Sequence, residues 1–221
     1  MPKKKTSKAI APTKSTAPAL PQSYAIADTE IRPEQFYRLP ERQPTERGPW
    51  SDEPGKIAWK DRETGLDCII LRQENGTLSG YVSVDPDHSL HGYNHDALPR
   101  AVRNACHGGV DYAEQCRRYG PEAVRVCHIR PTGTPSHAPG TAEHDDKWWF
   151  GFRTSHPGDL VPVGIKPSRH REEGEVYRDM HFVFQEVRNL ARALKAFTDR
   201  PVEGNSEPLQ IGSSSIDEDQ A

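Results

Sequence analysis

The strongest local instruction in this chain is Asn75-Gly76, set between the apolar runs Leu66 to Arg72 and Leu78 to Val84. Asn and Gly tolerate the positive φ angles of the tight turns that join antiparallel strands, so this dipeptide between two such runs predicts a hairpin. A third run, Lys56 to Lys60, precedes them across a second turn signal, Thr64-Gly65. The three together predict an antiparallel meander. Further along, Trp148, Phe150 and Phe152 alternate with Trp149, Gly151 and Arg153, the period of two that marks a half-buried strand. Val124 to Ile129 alternates in the same way and is expected to be another strand.

The period then changes. Val176, Met180, Val183, Val187, Leu190, Leu194 and Phe197 are spaced alternately by four and three, the stripe of an amphipathic helix over Glu173 to Phe197. The expected architecture is α+β: a small antiparallel sheet of four to six strands packed on one long C-terminal helix. Between the meander and the aromatic strand lies a His/Gly-rich loop region, residues 85–145, with short helical pieces expected at Ala97 to Ala105 and Tyr112 to Tyr119.

Composition limits how much of the chain can pack. With 33% hydrophobic residues and 20 prolines in 221 residues, a core through the full length is not expected. Residues 1–22 carry five lysines and no acid among Pro, Ala, Ser and Thr. Residues 23–47 are mixed in charge and proline-rich, so 1–47 is read as a basic arm, disordered or extended over the surface. Residues 199–221 hold six acids against one arginine and form an expected acidic, disordered tail. One domain, 48–198, remains. The arm's lysines lack interleaved aromatics, so nucleic acid is expected to be touched weakly at most.

No apolar run long enough for a membrane span is present, and the basic start is followed by no apolar signal-peptide core. A soluble, cytoplasmic protein is expected. In a reducing compartment Cys68, Cys106, Cys116 and Cys127 are expected to be thiols or occasional ligands. Zinc is the metal these side chains would suit: Cys116, Cys127, His107 and His128 supply donors, and His88 with His91 adds a pair, but the spacings match no zinc ribbon or finger. No phosphate-binding loop, dinucleotide fingerprint, nucleophile elbow or zinc-protease helix occurs.

What the chain offers instead is histidine on glycine-bearing loops. His107-Gly108-Gly109 suits a loop whose backbone approaches a ligand, with an imidazole to donate, accept or coordinate. At the end of the aromatic strand, His156 and Asp159 have the spacing of a hydrogen-bonded pair in which the carboxylate fixes the imidazole tautomer. His107, His156 and Asp159 are therefore the candidate catalytic residues. His91, Gly108, Gly109, Tyr112, His128, Trp149 and Arg153 are the candidate ligand-binding residues. Among them, Tyr112 or Trp149 would supply an apolar wall, and Arg153 would meet phosphate or carboxylate.

Taken in order, Leu90-His91-Gly92, His107 to Tyr112 with Cys116, Cys127-His128, and Trp148 to Phe152 with His156, Gly158 and Asp159 resemble a family of small proteins encoded by bacteriophages and prophages. The resemblance spans roughly Gly48 to Phe197. It implies the cytoplasm of an infected host cell and brings no particular activity. It departs at Arg153 and Thr154, where the family pattern carries an acid and a thiol, so a metal site using those positions is not expected here. Three readings stay open. One is a pocket protein that cleaves a small anionic, nucleotide-like ligand, such as a host immune signal, by histidine acid/base chemistry, as a hydrolase or phosphodiesterase would. Another is sequestration of such a ligand without chemistry. The last is an interaction module that binds a host protein.

Overall fold

The computed structural model describes residues 20–116, 120–127, 146–162 and 174–198. Its strands are β1 (Tyr24–Ile26), β2 (Thr29–Ile31), β3 (Pro33–Tyr37), β4 (Lys56–Lys60), β5 (Asp67–Arg72), β6 (Leu78–Val84), β7 (Tyr112–Gln115) and β8 (Trp148–Arg153). Its helices are α1 (Arg100–Arg103) and α2 (Met180–Thr198). The architecture is α+β. Strands β1 and β2 pair with each other, and the other six form one antiparallel sheet in the order β3-β4-β5-β6-β8-β7. No helix among the described residues is long and apolar enough to cross a membrane.

The meander forms where the turn signals place it. Asn75 Oδ1 accepts hydrogen bonds from Thr77 N at 3.1 Å and Thr77 Oγ1 at 2.7 Å, closing the β5–β6 turn. Asp61 Oδ2 does the same for Thr64 N and Oγ1 at the β4–β5 turn. One sheet face carries Ile57, Trp59, Ile70, Val82, Phe150 and Phe152, and α2 covers it with Val183, Phe184, Val187, Leu190 and Leu194. Gly80 sits at the closest approach, where any Cβ would run into Val187 and Phe152. The helix lies flush on β6 there.

The opposite face is buried too. Ala58, Ile69, Leu71, Tyr81 and Trp149 pack with Leu39, and Ala123, Val124 and Val126 lie against them. This second covering is irregular chain. Lys56 is enclosed within it at 0% exposure, its Nζ donating to the carbonyls of Glu122 at 2.8 Å and Cys127 at 3.4 Å. Burial pushes its ammonium down to about 7, although the nearby Glu122 carboxylate opposes that shift.

Several expectations are corrected. Tyr24–Tyr37 is no surface wrap: β1 and β2 send Ile26 and Ile31 into the core, and β3 is an edge strand of the sheet. Pro33 opens β3 and Pro40 lies beyond it, where a missing N–H removes no central ladder bond. The folded unit therefore starts near Tyr24, not Gly48. Tyr112–Gln115 is strand rather than helix because it pairs with β8 through Glu114↔Trp149 and its neighbours. Val124 belongs to a single 3₁₀ turn, Glu122–Val124, and the chain from there to Cys127 forms no strand. The helical piece near residue 100 is one turn, Arg100–Arg103. Helix α2 begins at Met180, not Glu173, and Val176 stands outside it, bridging to Asp159. Cys116 and Cys127 are joined by a disulfide, with their Cα atoms 5.1 Å apart, within reach of a bridge. Cys68 and Cys106 are buried thiols. Residues 1–19 of the arm and 199–221 of the tail lie outside the described residues.

Candidate functional site

The loop after α1 and the turn after β8 meet at one end of the β7–β8 pair. Asp111 N donates to Gly151 O at 2.9 Å, so the chain entering β7 and the chain leaving β8 run side by side. His107 and His156 are brought together this way, their ring centroids 5.4 Å apart and their planes at 68°. Both imidazoles and Asp159 are thus one cluster.

Asp159 is its centre. The side chain is 0% exposed, and both carboxylate oxygens are engaged. Oδ2 lies 2.8 Å from His107 Nε2 and accepts the His156 backbone N–H at 3.0 Å. Oδ1 accepts Arg178 Nε at 2.8 Å. Burial alone would push this carboxyl upward, but the bonds from Arg178, His107 and the His156 amide outweigh it and hold the group below its ordinary value. Asp159 is therefore an ionised acceptor at neutral pH. An ionised carboxylate cannot donate, so the proton of neutral His107 sits on Nε2 and the basic lone pair is on Nδ1.

Phe182, in the first turn of α2, completes the cluster. His107 meets its ring edge-on at a centroid distance of 5.2 Å, and the Arg178 guanidinium lies over it at 4.7 Å. His107 and Arg178 keep 21% and 27% of their side chains exposed. A buried carboxylate thus stands behind two partly exposed nitrogen-bearing groups.

Two expected roles change. Asp159 orients the imidazole of His107, not that of His156, to which it bonds only through the backbone. The reason is the turn itself, in which Asp159 N donates to His156 O at 2.9 Å and the carboxylate folds back onto the His156 amide. Gly108 admits another side chain rather than a ligand. It adopts φ +68°, and any Cβ there would collide with the His156 ring at Nε2. His156 Nε2 is buried against that glycine and has no hydrogen-bond partner among the described residues. Gly109 faces the backbone carbonyl of Arg103, which a Cβ would approach to 3.1 Å.

The remaining expected ligand residues are dispersed. Trp149 is 0% exposed on the second sheet face and forms no wall of the histidine cluster, because its register opposite Ser83 turns it away from α2. Tyr112 and Arg153 do share a hollow of about 350 Å³ with Gln73, Tyr81, Asp111 and Ser155, none of them a cluster residue. Within it Arg153 Nε lies 2.7 Å from Asp111 Oδ2, so its charge is already opposed. His91 Nε2 is 2.8 Å from the Asp146 carbonyl, and its ring lies 5.9 Å from that of Trp148. His128 lies outside the described residues. Of the expected zinc donors, Cys116 and Cys127 are consumed by their disulfide, and no three His, Cys, Asp or Glu side chains are grouped for a metal among the described residues.

Arg178 and Phe182 are the residues that sequence reasoning missed. Both fell inside the expected helix, off its apolar stripe, where a charged residue reads as solvated face. The one available signal was Val176-Tyr177-Arg178-Asp179, a stretch whose Asp179 caps α2 by accepting Phe182 N at 2.8 Å. Compared with known proteins, the chain matches no family model, no curated protein and no solved structure.

Proposed function

We propose that the chain acts on a small anionic ligand by acid/base chemistry, with His107 as the group that takes up and returns the proton. The observation that carries this reading is the bond between the buried Asp159 carboxylate and Nε2 of the partly exposed His107 imidazole. Asp159 fixes the tautomer that leaves Nδ1 basic and stabilises the imidazolium formed when Nδ1 accepts a proton from water or a hydroxyl. The proton then returns to the leaving atom. Arg178 stands beside the same carboxylate and opposes negative charge that develops on the ligand. His156, closed off by Gly108, positions the loop rather than sharing the proton.

Sequestration without turnover is the second reading, and one observation favours it: His156 Nε2 is buried against Gly108 with no hydrogen-bond partner among the described residues, so that nitrogen is not placed to hand a second proton to a ligand. The test separates the two. Purified protein is incubated with nucleotides and cyclic dinucleotides, and the mixture is chromatographed before and after heat denaturation. New products that disappear in a folded His107→Ala variant support acid/base cleavage. Intact ligand released only by heat supports sequestration. An unchanged panel removes both and leaves the interaction module bound to a host protein.

A further inference from the structure

We infer that His107 and Arg178 together receive a terminal phosphate, the doubly charged end of a phosphate monoester. The inference rests on the reading of His107 as the reactive group and names the chemical class that group meets. Both side chains are anchored on one carboxylate through different oxygens, His107 on Oδ2 and Arg178 on Oδ1. Both also contact one ring, Phe182. Their mutual placement is thereby fixed from two sides, which removes much of the ordering cost that weakens anion binding by surface arginines.

The nitrogens left over define the ligand. Arg178 spends Nε on Asp159, and its two terminal nitrogens have no partner among the described residues. They form the planar fork that suits two oxygens of one anion. His107 Nδ1, likewise without a partner, becomes a third donor on protonation. A carboxylate would be satisfied by the fork alone. A terminal phosphate offers a third oxygen to Nδ1, and its second charge favours the protonated imidazole. A phosphodiester, with two bare oxygens and one charge, fills the fork and leaves Nδ1 unmatched.

Among the described residues, Asp159, Arg178 and His156 are the charged or titratable groups that contact or flank the His107 ring. Of these, Asp159 sets a negative charge against the ring and Arg178 a positive one. A dianion bound at Nδ1 adds further negative charge, which favours the protonated ring. Binding should therefore take up a proton.

Calorimetry on the full chain at about pH 8, where phosphate is a dianion, tests this with inorganic phosphate, a nucleoside monophosphate and a cyclic dinucleotide as probes. Saturable binding of the first two is expected, with the diester weaker. Proton uptake is read from the difference between two buffers of unlike ionisation heat. Arg178→Ala should weaken phosphate binding roughly tenfold or more, His107→Gln should abolish the proton uptake, and the exposed control Arg103→Ala should change neither. If Arg178→Ala does not fold, Arg178→Lys, which keeps the charge without the fork, should show the weakening. Absence of saturable phosphate binding overturns the inference, as does wild-type affinity in the folded Arg178 variant or proton uptake that survives His107→Gln. Turnover of diesters without phosphate binding defeats this inference while leaving the proposed function standing. Phosphate binding through Arg178 with no turnover of any probe defeats the acid/base reading instead.

Discussion

Lys56 shows what a single residue can hide. Its ammonium is enclosed between the sheet and residues 122–127, and burial lowers its pKa from about 10.4 in an unfolded chain to about 7. Between those values the unfolded chain binds more protons than the native one, so stability rises with pH across that window and the penalty is fully present below it. We predict that the wild type gains roughly 2 kcal/mol relative to Lys56→Met between about pH 7 and pH 9, measured by urea unfolding at each pH. Parallel curves for the two proteins would refute the assignment. Gly108→Ala is expected to lower stability by roughly 2 kcal/mol or more, because a Cβ at positive φ is strained and this one meets His156. The test is thermal unfolding, with Gly92→Ala, where the added Cβ has open space, as the comparison. His107, His156 and Asp159 were legible because Gly-rich loops and strand-ending turns advertise unusual backbone. Lys56 was not, because nothing in Lys-Ile-Ala-Trp-Lys says which of its two lysines another segment will cover.

Among the elements, β4, β5, β6 and β8 could be read from the chain because apolar or alternating runs stand beside turn signals, and α2 from its apolar stripe alone. The strands of Tyr24–Tyr37 could not. They are three to five residues long, too short for a period, and β3 finds its partner, β4, only across a long irregular connection. The start of α2 was likewise set from a distance. Glu53, carried on the β3–β4 connection, accepts Met180 N on Oε1 at 2.7 Å. Its Oε2 meets the fully buried Arg72 and the Tyr177 hydroxyl, each at 2.7 Å. One carboxylate thus caps the helix and neutralises a core arginine. Removing its charge leaves Arg72 uncompensated, so Glu53→Gln is predicted to cost about 3 kcal/mol, whereas Glu46→Gln should cost little. Chemical denaturation with far-ultraviolet dichroism checks both, and equal loss would place the stabilisation elsewhere.

At the scale of the whole molecule, the sheet has two unlike coverings. A 19-residue helix seals one face, and irregular chain held by the Cys116–Cys127 disulfide closes the other. Closing a loop of this length stabilises by about 3 kcal/mol in the chain-entropy view, so reduction is predicted to lower unfolding free energy by up to that amount. Two free thiols at these positions in the native protein, found by mass spectrometry, would contradict the bond. The unequal coverings also imply a sequence of events. Amide hydrogens along the β5–β6 ladder are shielded from both sides and should trade for deuterium only through complete unfolding. Those of residues 120–127 have no ladder to protect them, and should trade first, sooner still once the sulfurs are parted. The molecule would then come open like a book bound on one side, its helix the spine and its stapled cover the page that lifts.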